Sequence, residues 1–293
     1  MLKLKDGFTG ERSIVIPVLV QEMMMEDPIM AMLHISDIGY YPKAAYHYRE
    51  RKDPIDQYVF IYVVDGEGWY RVDGVTYQVR ANQFFILPAG KPHAYGAGKA
   101  MPWTIYWLHF RGTAAMQYAA FGNAPVDLEP DARSRIGDRI NIFEEMFLTL
   151  SDGYSLDNLR YSSSVLHYYL GTIRFRQAFK ARSSDPGGDV TALAIHYMKE
   201  NMGKRLTLKE ISDSVGLSPS HFSLVFKQST GYSPGSYYNL LKIQEACFML
   251  DETDMKINQI SYKLGIDDAY YFSRLFSKIM GMSPKDYRSK KKG

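Results

Sequence analysis

Residues 221–234 read HFSLVFKQSTGYSP, and residues 271–284 read YFSRLFSKIMGMSP. The two stretches agree at Phe222 and Phe272, Ser223 and Ser273, Phe226 and Phe276, Gly231 and Gly281, and in the closing Ser-Pro. Phenylalanines at i and i+4 fall on one face of a helix. The glycine that follows can take the left-handed conformation that ends a helix. Ser-Pro then supplies a capping hydroxyl ahead of a residue suited to the first helical position. Each copy therefore predicts a short amphipathic helix, a stop and a new start.

What precedes each copy completes a unit. Thr207 and Glu210 have the spacing of a capping box at the head of LKEISDSV. Gly216 can take the positive φ that turns the chain, and Ser218-Pro219 opens the helix of the first copy. In the second copy INQISYKL supplies the leading helix, Gly265 the turn and Asp267 the expected N-cap. A short helix, a glycine turn and a second helix make a helix-turn-helix. The stretch from Ser233 to Leu250 predicts one helix joining the two. A turn of B-DNA is about 34 Å long, so two such motifs on a rigid link could offer one helix to each of two successive major grooves. Phe222, Val225 and Phe226 form the inward stripe of the first helix, with Ser220, Ser223, Leu224 and Lys227 on the opposite face. In the second, Phe272, Leu275, Phe276 and Ile279 face inward. Tyr270, Ser273 and Arg274 face outward, with Lys278 beside them.

With ISDSVGLSPSHFSLVFKQSTGYSPGSYY and ISYKLGIDDAYYFSRLFSKIMGMSPKDYR on view, residues 190–288 resemble the DNA-binding domain of the AraC family of bacterial transcription regulators. The F-S-R-x-F-x-K-x-x-G-x-S-P-x-x-Y-R pattern is the most diagnostic part. The resemblance implies base-facing positions at Ser220, Ser223 and Leu224 in the first recognition helix, and at Ala269, Tyr270, Ser273 and Arg274 in the second. Lys227 and Lys278 suit phosphate contacts, which position without specifying. Arg274 suits bidentate reading of a guanine. The outer face of the first helix has no arginine. From Asp189 onward, fifteen Lys and Arg stand against eleven Asp and Glu, a modest excess compatible with nucleic acid.

The first half has a different period. YVFIYVV, WYRV, VTYQV, QFFILP and WTIYWLHF are rich in β-branched and aromatic residues, and Asp73-Gly74 marks a hairpin. Short strands with tight turns predict a sandwich or barrel. Helical spacing takes over near Asp131, over Arg135–Leu150 and Ser155–Phe179. Leu159, Leu166 and Ile173 recur every seventh residue, which suits either a seam between two chains or packing onto the chain's own sheet. The segment ARSSDPGGD (181–189) reads as a linker. With 293 residues, 46% of them hydrophobic, the chain is expected to form about two domains: residues 1–180, and an all-α domain over 190–293. The fold class expected is α+β in two domains.

LPAGKPH (Leu87–His93) resembles the second motif of the cupin barrels, many of which are metal enzymes. Their first motif needs two histidines and a glutamate. Here the glutamate position holds Val59, and the histidine region holds Asp53 and Ile55. A lone imidazole cannot hold a catalytic metal, which takes about three protein ligands, so no metal, cofactor or catalytic residue is expected. Residues 40–112 resemble instead the sugar-sensing cupin domain of AraC-type regulators. That resemblance implies ligand contacts at Arg51, Tyr95 and Trp107, with His93 adding a hydrogen bond. Ile105 stands where some sugar sensors carry a polar residue. The combined reading is a ligand-responsive regulator of a carbohydrate-utilisation operon that binds double-stranded promoter DNA and a small-molecule effector, a sugar. It is expected to be a homodimer through the 155–179 helix, with RNA polymerase as a further partner the reading allows. The rival readings are a constitutive regulator whose barrel only dimerises, and a metal-dependent cupin enzyme fused to a DNA-binding domain. A single cysteine, Cys247, no apolar leader in MLKLKDGFTG, and no apolar run of about 18 residues point to a cytoplasmic protein and no membrane.

Overall fold

The apolar runs at Tyr58–Asp65 and Thr104–Arg111 become the two central strands of a sheet that is covered on both faces, which is why they carry almost no polar residues. The computed structural model describes residues 2–128, 134–179 and 190–289. The chain divides into two compact units, meeting between residues 181 and 182. The expected linker, 181–189, and the expected helical onset at Asp131 lie outside the described residues.

In the first unit β1 (Arg12–Val15) and α1 (Val18–Glu26) lead into β2 (His34–Tyr41), β3 (Tyr48–Arg51) and β4 (Tyr58–Asp65). Then come β5 (Glu67–Val72), β6 (Val75–Arg80), β7 (Gln83–Leu87), β8 (His93–Ala97) and β9 (Thr104–Arg111). After these follow α2 (Ala115–Ala119), β10 (Val126–Asp127), α3 (Ile136–Ser151), α4 (Leu156–Arg174) and α5 (Arg176–Phe179). The strands form two antiparallel sheets, in the orders β1-β2-β9-β4-β7-β10 and β3-β8-β5-β6. The β5–β6 hairpin turns on Asp73 and Gly74, both at positive φ (52° and 76°), as a two-residue hairpin favours.

Alternation divides the larger sheet between two cores. Val59, Ile61, Val63, Phe85, Leu87, Ile105 and Trp107 meet Tyr70, Val72, Val79 and Tyr95 of the smaller sheet. Their neighbours Phe60, Tyr62, Phe84, Ile86, Tyr106, Leu108 and Phe110 meet Phe143, Met146, Leu166, Tyr169 and Ile173 of α3 and α4. The heptad stripe is thereby assigned. Leu159, Leu166 and Ile173 are at most 1% exposed in the chain's own core, so they do not form a seam between chains. The expected single helix over 155–179 is also two: α4 stops at Arg174 and α5 begins at Arg176.

The second unit consists of α6 (Val190–Glu200), α7 (Leu208–Asp213), α8 (Pro219–Thr230), α9 (Pro234–Glu252), α10 (Ile257–Lys263), α11 (Ala269–Met280) and α12 (Pro284–Ser289). It has two small cores that share α9. Ala194, Met198, Ile211, Phe222, Phe226, Tyr238 and Leu241 make one. Ile243, Ala246, Leu250, Ile260, Leu264, Phe272 and Phe276 make the other. The join between them is polar. Tyr238 donates its hydroxyl to the carbonyls of Asn201 and Lys204 (2.6 and 2.9 Å), and buried Lys242 donates from Nζ to the same Lys204 carbonyl at 2.8 Å. Gly265, at φ +66°, lies so close to Gly203 that a Cβ there would stand 2.5 Å from the Gly203 carbonyl oxygen. The turn of the second motif thus rests on the loop leading into the first.

Candidate functional site

Both repeats fold as paired helices with a glycine in the turn, Gly216 and Gly265. The first has the expected capping box: Thr207 accepts from the Glu210 amide at 3.2 Å, and Glu210 accepts from the Thr207 amide at 2.7 Å. Ser218 caps α8 and Pro219 opens it. The cap of α11 is Asp268, not Asp267. Its Oδ1 accepts the amides of Tyr270 and Tyr271 at 2.8 and 3.1 Å. The copies therefore differ in charge at the N-terminus of the second helix, neutral in α8 and anionic in α11.

Phe222, Phe226, Phe272 and Phe276 are 0% exposed and anchor α8 and α11 by matching faces. Opposite them Ser220, Leu224, Lys227, Tyr270, Arg274 and Lys278 are exposed, while Ser223, Ala269 and Ser273 are half-buried. Leu224 is 60% and Tyr270 85% exposed. Ser273 donates its hydroxyl to the Ala269 carbonyl at 2.9 Å, leaving only its lone pairs for another partner. Lys209 is neutralised by Asp213 at 2.6 Å. Among the described residues no such ion pair is found for Lys227, Arg274 or Lys278.

The first unit encloses a cavity of about 220 Å³ between its sheets. Three of the four expected ligand contacts border it: Arg51 from β3, Tyr95 from β8 and Trp107 from β9. Arg51 and Tyr95 meet across the β3–β8 pair, where the guanidinium donates to the Tyr95 hydroxyl at 3.2 Å. Trp107 lies across β2 because Gly39 has no side chain; a Cβ there would stand 2.5 Å from the indole. His93 is not among the bordering residues. Its Nδ1 donates to the Lys91 carbonyl at 2.9 Å, and burial, partly offset by that bond, pushes its pKa down to about 4. Ile105 borders the cavity, as does Ile61 of β4.

Sequence reasoning missed Asp37, Tyr41, His47 and His109 at this cavity. His109 was within reach, since it follows Ile105 and Trp107 at the period-two spacing of β9. Asp37 and Tyr41 follow the same rule on β2, but nothing local ties β2 to β9. His109 Nδ1 donates to Gln57 Oε1 at 3.2 Å and lies 3.2 Å from Asp37 Oδ2, and Ser36 donates to that carboxylate oxygen at 2.8 Å. Among the described residues no group of three or more His, Cys, Asp or Glu is arranged to hold a metal ion. No described helix is long and apolar enough to cross a membrane.

Comparison with known proteins assigns both units. Residues 37–163 match the model of the AraC-like ligand binding domain, and residues 211–290 match that of a helix-turn-helix domain. The MmsAB operon regulatory protein of Pseudomonas aeruginosa is 32% identical over 283 residues, covering 94% of this chain and 89% of that protein. The lactose operon transcription activator of Staphylococcus xylosus is 26% identical, covering 77% of this chain and 81% of that one. The raffinose operon transcriptional regulatory protein of Pediococcus pentosaceus is 24% identical over 80% of this chain and 85% of its own. With a β-sandwich matched to a ligand-binding family, two helix-turn-helix motifs on a shared helix, and a full-length relative at that identity, the chain belongs to the AraC family of DNA-binding transcription regulators.

Proposed function

We propose that this regulator switches a carbohydrate-related operon in response to a small molecule held in the cavity between its sheets. The observation that carries the reading is Trp107: a buried indole bordering the cavity, with its Nε1 unpartnered. An apolar ring face suits the C–H surface of a carbohydrate, and a free N–H suits one of its oxygens. Relatives named for lactose and raffinose operons support the same class of effector.

At the DNA, Ser220, Ser223 and Leu224 of α8 and Ala269, Tyr270, Ser273 and Arg274 of α11 meet base edges. Lys227 and Lys278 meet phosphates. Support comes from the uncovered outer faces and the unspent cations on them. The protein works as a homodimer in the cytoplasm, with RNA polymerase as its partner when it activates. Support for the dimer moves from the heptad stripe to the outer surface of α3 and α4. There Leu148, Tyr161 and Tyr168 are about half exposed or more, and Phe175 at the end of α4 is 60% exposed.

The test is footprinting on promoter DNA selected by binding to the purified protein, with and without candidate carbohydrates, on the parent and on Trp107→Ala. The expected result is an effector-dependent footprint in the parent that becomes effector-independent in the variant. A folded Trp107→Ala protein that still responds would sink the reading, since a ligand shifts an equilibrium only through its differential contacts with two states.

A further inference from the structure

The polar side chains that line the cavity are not evenly divided between donors and acceptors. An indole Nε1–H can only donate. That of Trp103 lies 3.2 Å from His47 Nδ1, so Nδ1 must be the acceptor. Burial, reinforced by the charges of Arg49 and Arg51, pushes the His47 pKa down to about 3. The ring is therefore neutral, and its one proton sits on Nε2. That atom is buried and has no partner among the described residues. Trp107 Nε1 is likewise a buried donor with no partner among them. Arg51 carries only donors; it gives one hydrogen bond to Tyr95 and has no carboxylate within ion-pair distance among the described residues. Tyr95, having accepted from Arg51, keeps its own proton to give.

Two carboxylates border the same space, and neither lies within ion-pair distance of Arg51. Asp37 accepts from Ser36 and lies 3.2 Å from His109 Nδ1, which donates to Gln57, so it keeps acceptor sites open. Asp6 has a side chain 68% exposed and lies 3.9 Å from Arg49. The rings that carry the free donors form one connected cluster. Tyr41 contacts both His47 and Trp107, with centroids at 5.3 and 5.2 Å, and Tyr95 contacts His47 at 5.7 Å.

Leaving buried donors unmade costs about 1–3 kcal/mol each. A hydroxyl satisfies one only by bringing a donor of its own. A carboxylate brings about four acceptor sites, no donor, and a close ion-pair partner for Arg51, which otherwise feels Asp37 only at longer range. We infer that the effector is a small hydroxycarboxylate, such as a sugar acid, with its carboxylate against Arg51 and the Trp107 and His47 N–H groups and its hydroxyls toward Asp37. A cavity of about 220 Å³ falls below the ~300–1,000 Å³ of sites for drug-sized ligands, so a single ring or a shorter chain is the fitting size. The inference rests on the reading of this cavity as the effector site.

The experiment is a calorimetric and thermal-shift panel on the full-length protein. Uronates, aldonates and short hydroxycarboxylates are each set beside the uncharged aldose or polyol of the same skeleton. The expected result is an acid bound at least about tenfold more tightly than its uncharged counterpart. Arg51→Gln, checked as folded by tryptophan fluorescence, should lose most of that preference, and Arg51→Lys should recover part of it. Binding of the neutral members equal to or tighter than the acids overturns the carboxylate and leaves the effector site standing. A preference for acids that survives Arg51→Gln overturns the assignment of the carboxylate's seat. Binding by no member of either set overturns both the inference and the reading beneath it.

Discussion

Lys242 is 3% exposed at the join between the two cores of the helical unit, and it makes a usable perturbation. Burial pushes its pKa down to about 8 from the ordinary 10.5. At about 1.4 kcal/mol per tenfold change in proton affinity, keeping the ammonium there at neutral pH costs the fold about 3 kcal/mol. The amine's hydrogen bond to the Lys204 carbonyl returns about 1 kcal/mol. In Lys242→Met the cost and the bond vanish together, and the Lys204 carbonyl keeps its bond from Tyr238. The variant should therefore be more stable than the parent by about 2 kcal/mol at pH 7.

The sign reverses with pH. The folded-state pKa lies below the unfolded one, so the unfolded chain binds more protons between pH 8 and 10.5, and parent stability rises through that window. The two curves should cross near about pH 10, above which the parent leads by up to about 1 kcal/mol. Urea titrations followed by far-ultraviolet circular dichroism report the helical unit. The three tryptophans, Trp69, Trp103 and Trp107, all lie in the other unit, so fluorescence supplies a control transition that should not move. A methionine variant less stable at pH 7, or an offset that does not change with pH, would refute the reasoning.

Arg274→Ala should weaken operator binding by about 1–3 kcal/mol and relax preference at one base pair, measured by mobility shift against a set of single-base operator variants. Equal losses on operator and random DNA would remove base reading from Arg274. Lys227→Ala should weaken all sequences alike and flatten the salt dependence by about one unit, as titrations at several ionic strengths will show. Leu166→Glu places a charge at a site 0% exposed in the core behind the sheet and should unfold the first unit rather than release a monomer; light scattering that finds a folded monomer would contradict this. Acid should loosen the same unit first. His47 and His93 have folded pKa values near about 3 and about 4, against an ordinary 6.5, so the unfolded chain takes up more protons as pH falls below 6.5, and fluorescence-detected stability should drop over that range.

The helical unit was the more legible because its signals are local. Thr207 with Glu210, Ser218 with Pro219, and the repeated Phe pair each specify a few adjacent residues. Even the error there was one residue wide, because Asp267 and Asp268 offer the same carboxylate and only the turn geometry chooses between them. The heptad of α4 stated that one face is buried but not by what, and the sheet of the same chain covers it. The cavity was half legible. Arg51, Tyr95 and Trp107 came from resemblance, while Asp37 and His47 arrive from strands and loops whose pairing no local pattern encodes. Lys242 was invisible for a like reason. In LLKIQEA it reads as an ordinary solvent-facing lysine, and only the return of the Asn201–Lys204 loop, nearly forty residues earlier, buries it.

Strand β9 gives alternate residues to two cores, so the wall of the cavity and the seat of the helices are one strand. Trp107 faces the cavity; Tyr106, one peptide away, faces α3 and donates to Glu144 at 3.2 Å. Glu144 in turn grips Arg12 of β1 through two bonds of 2.9 and 2.7 Å. The next residue, Ser13, borders the cavity again. The route leaves the cavity through the sheet and comes back to its rim by way of a partly exposed ion pair. If a ligand displaces Trp107, the nearest place beyond the sheet to look for it is α3, through Tyr106 and Glu144, and amide exchange along α3 with and without ligand is the measurement that reads it.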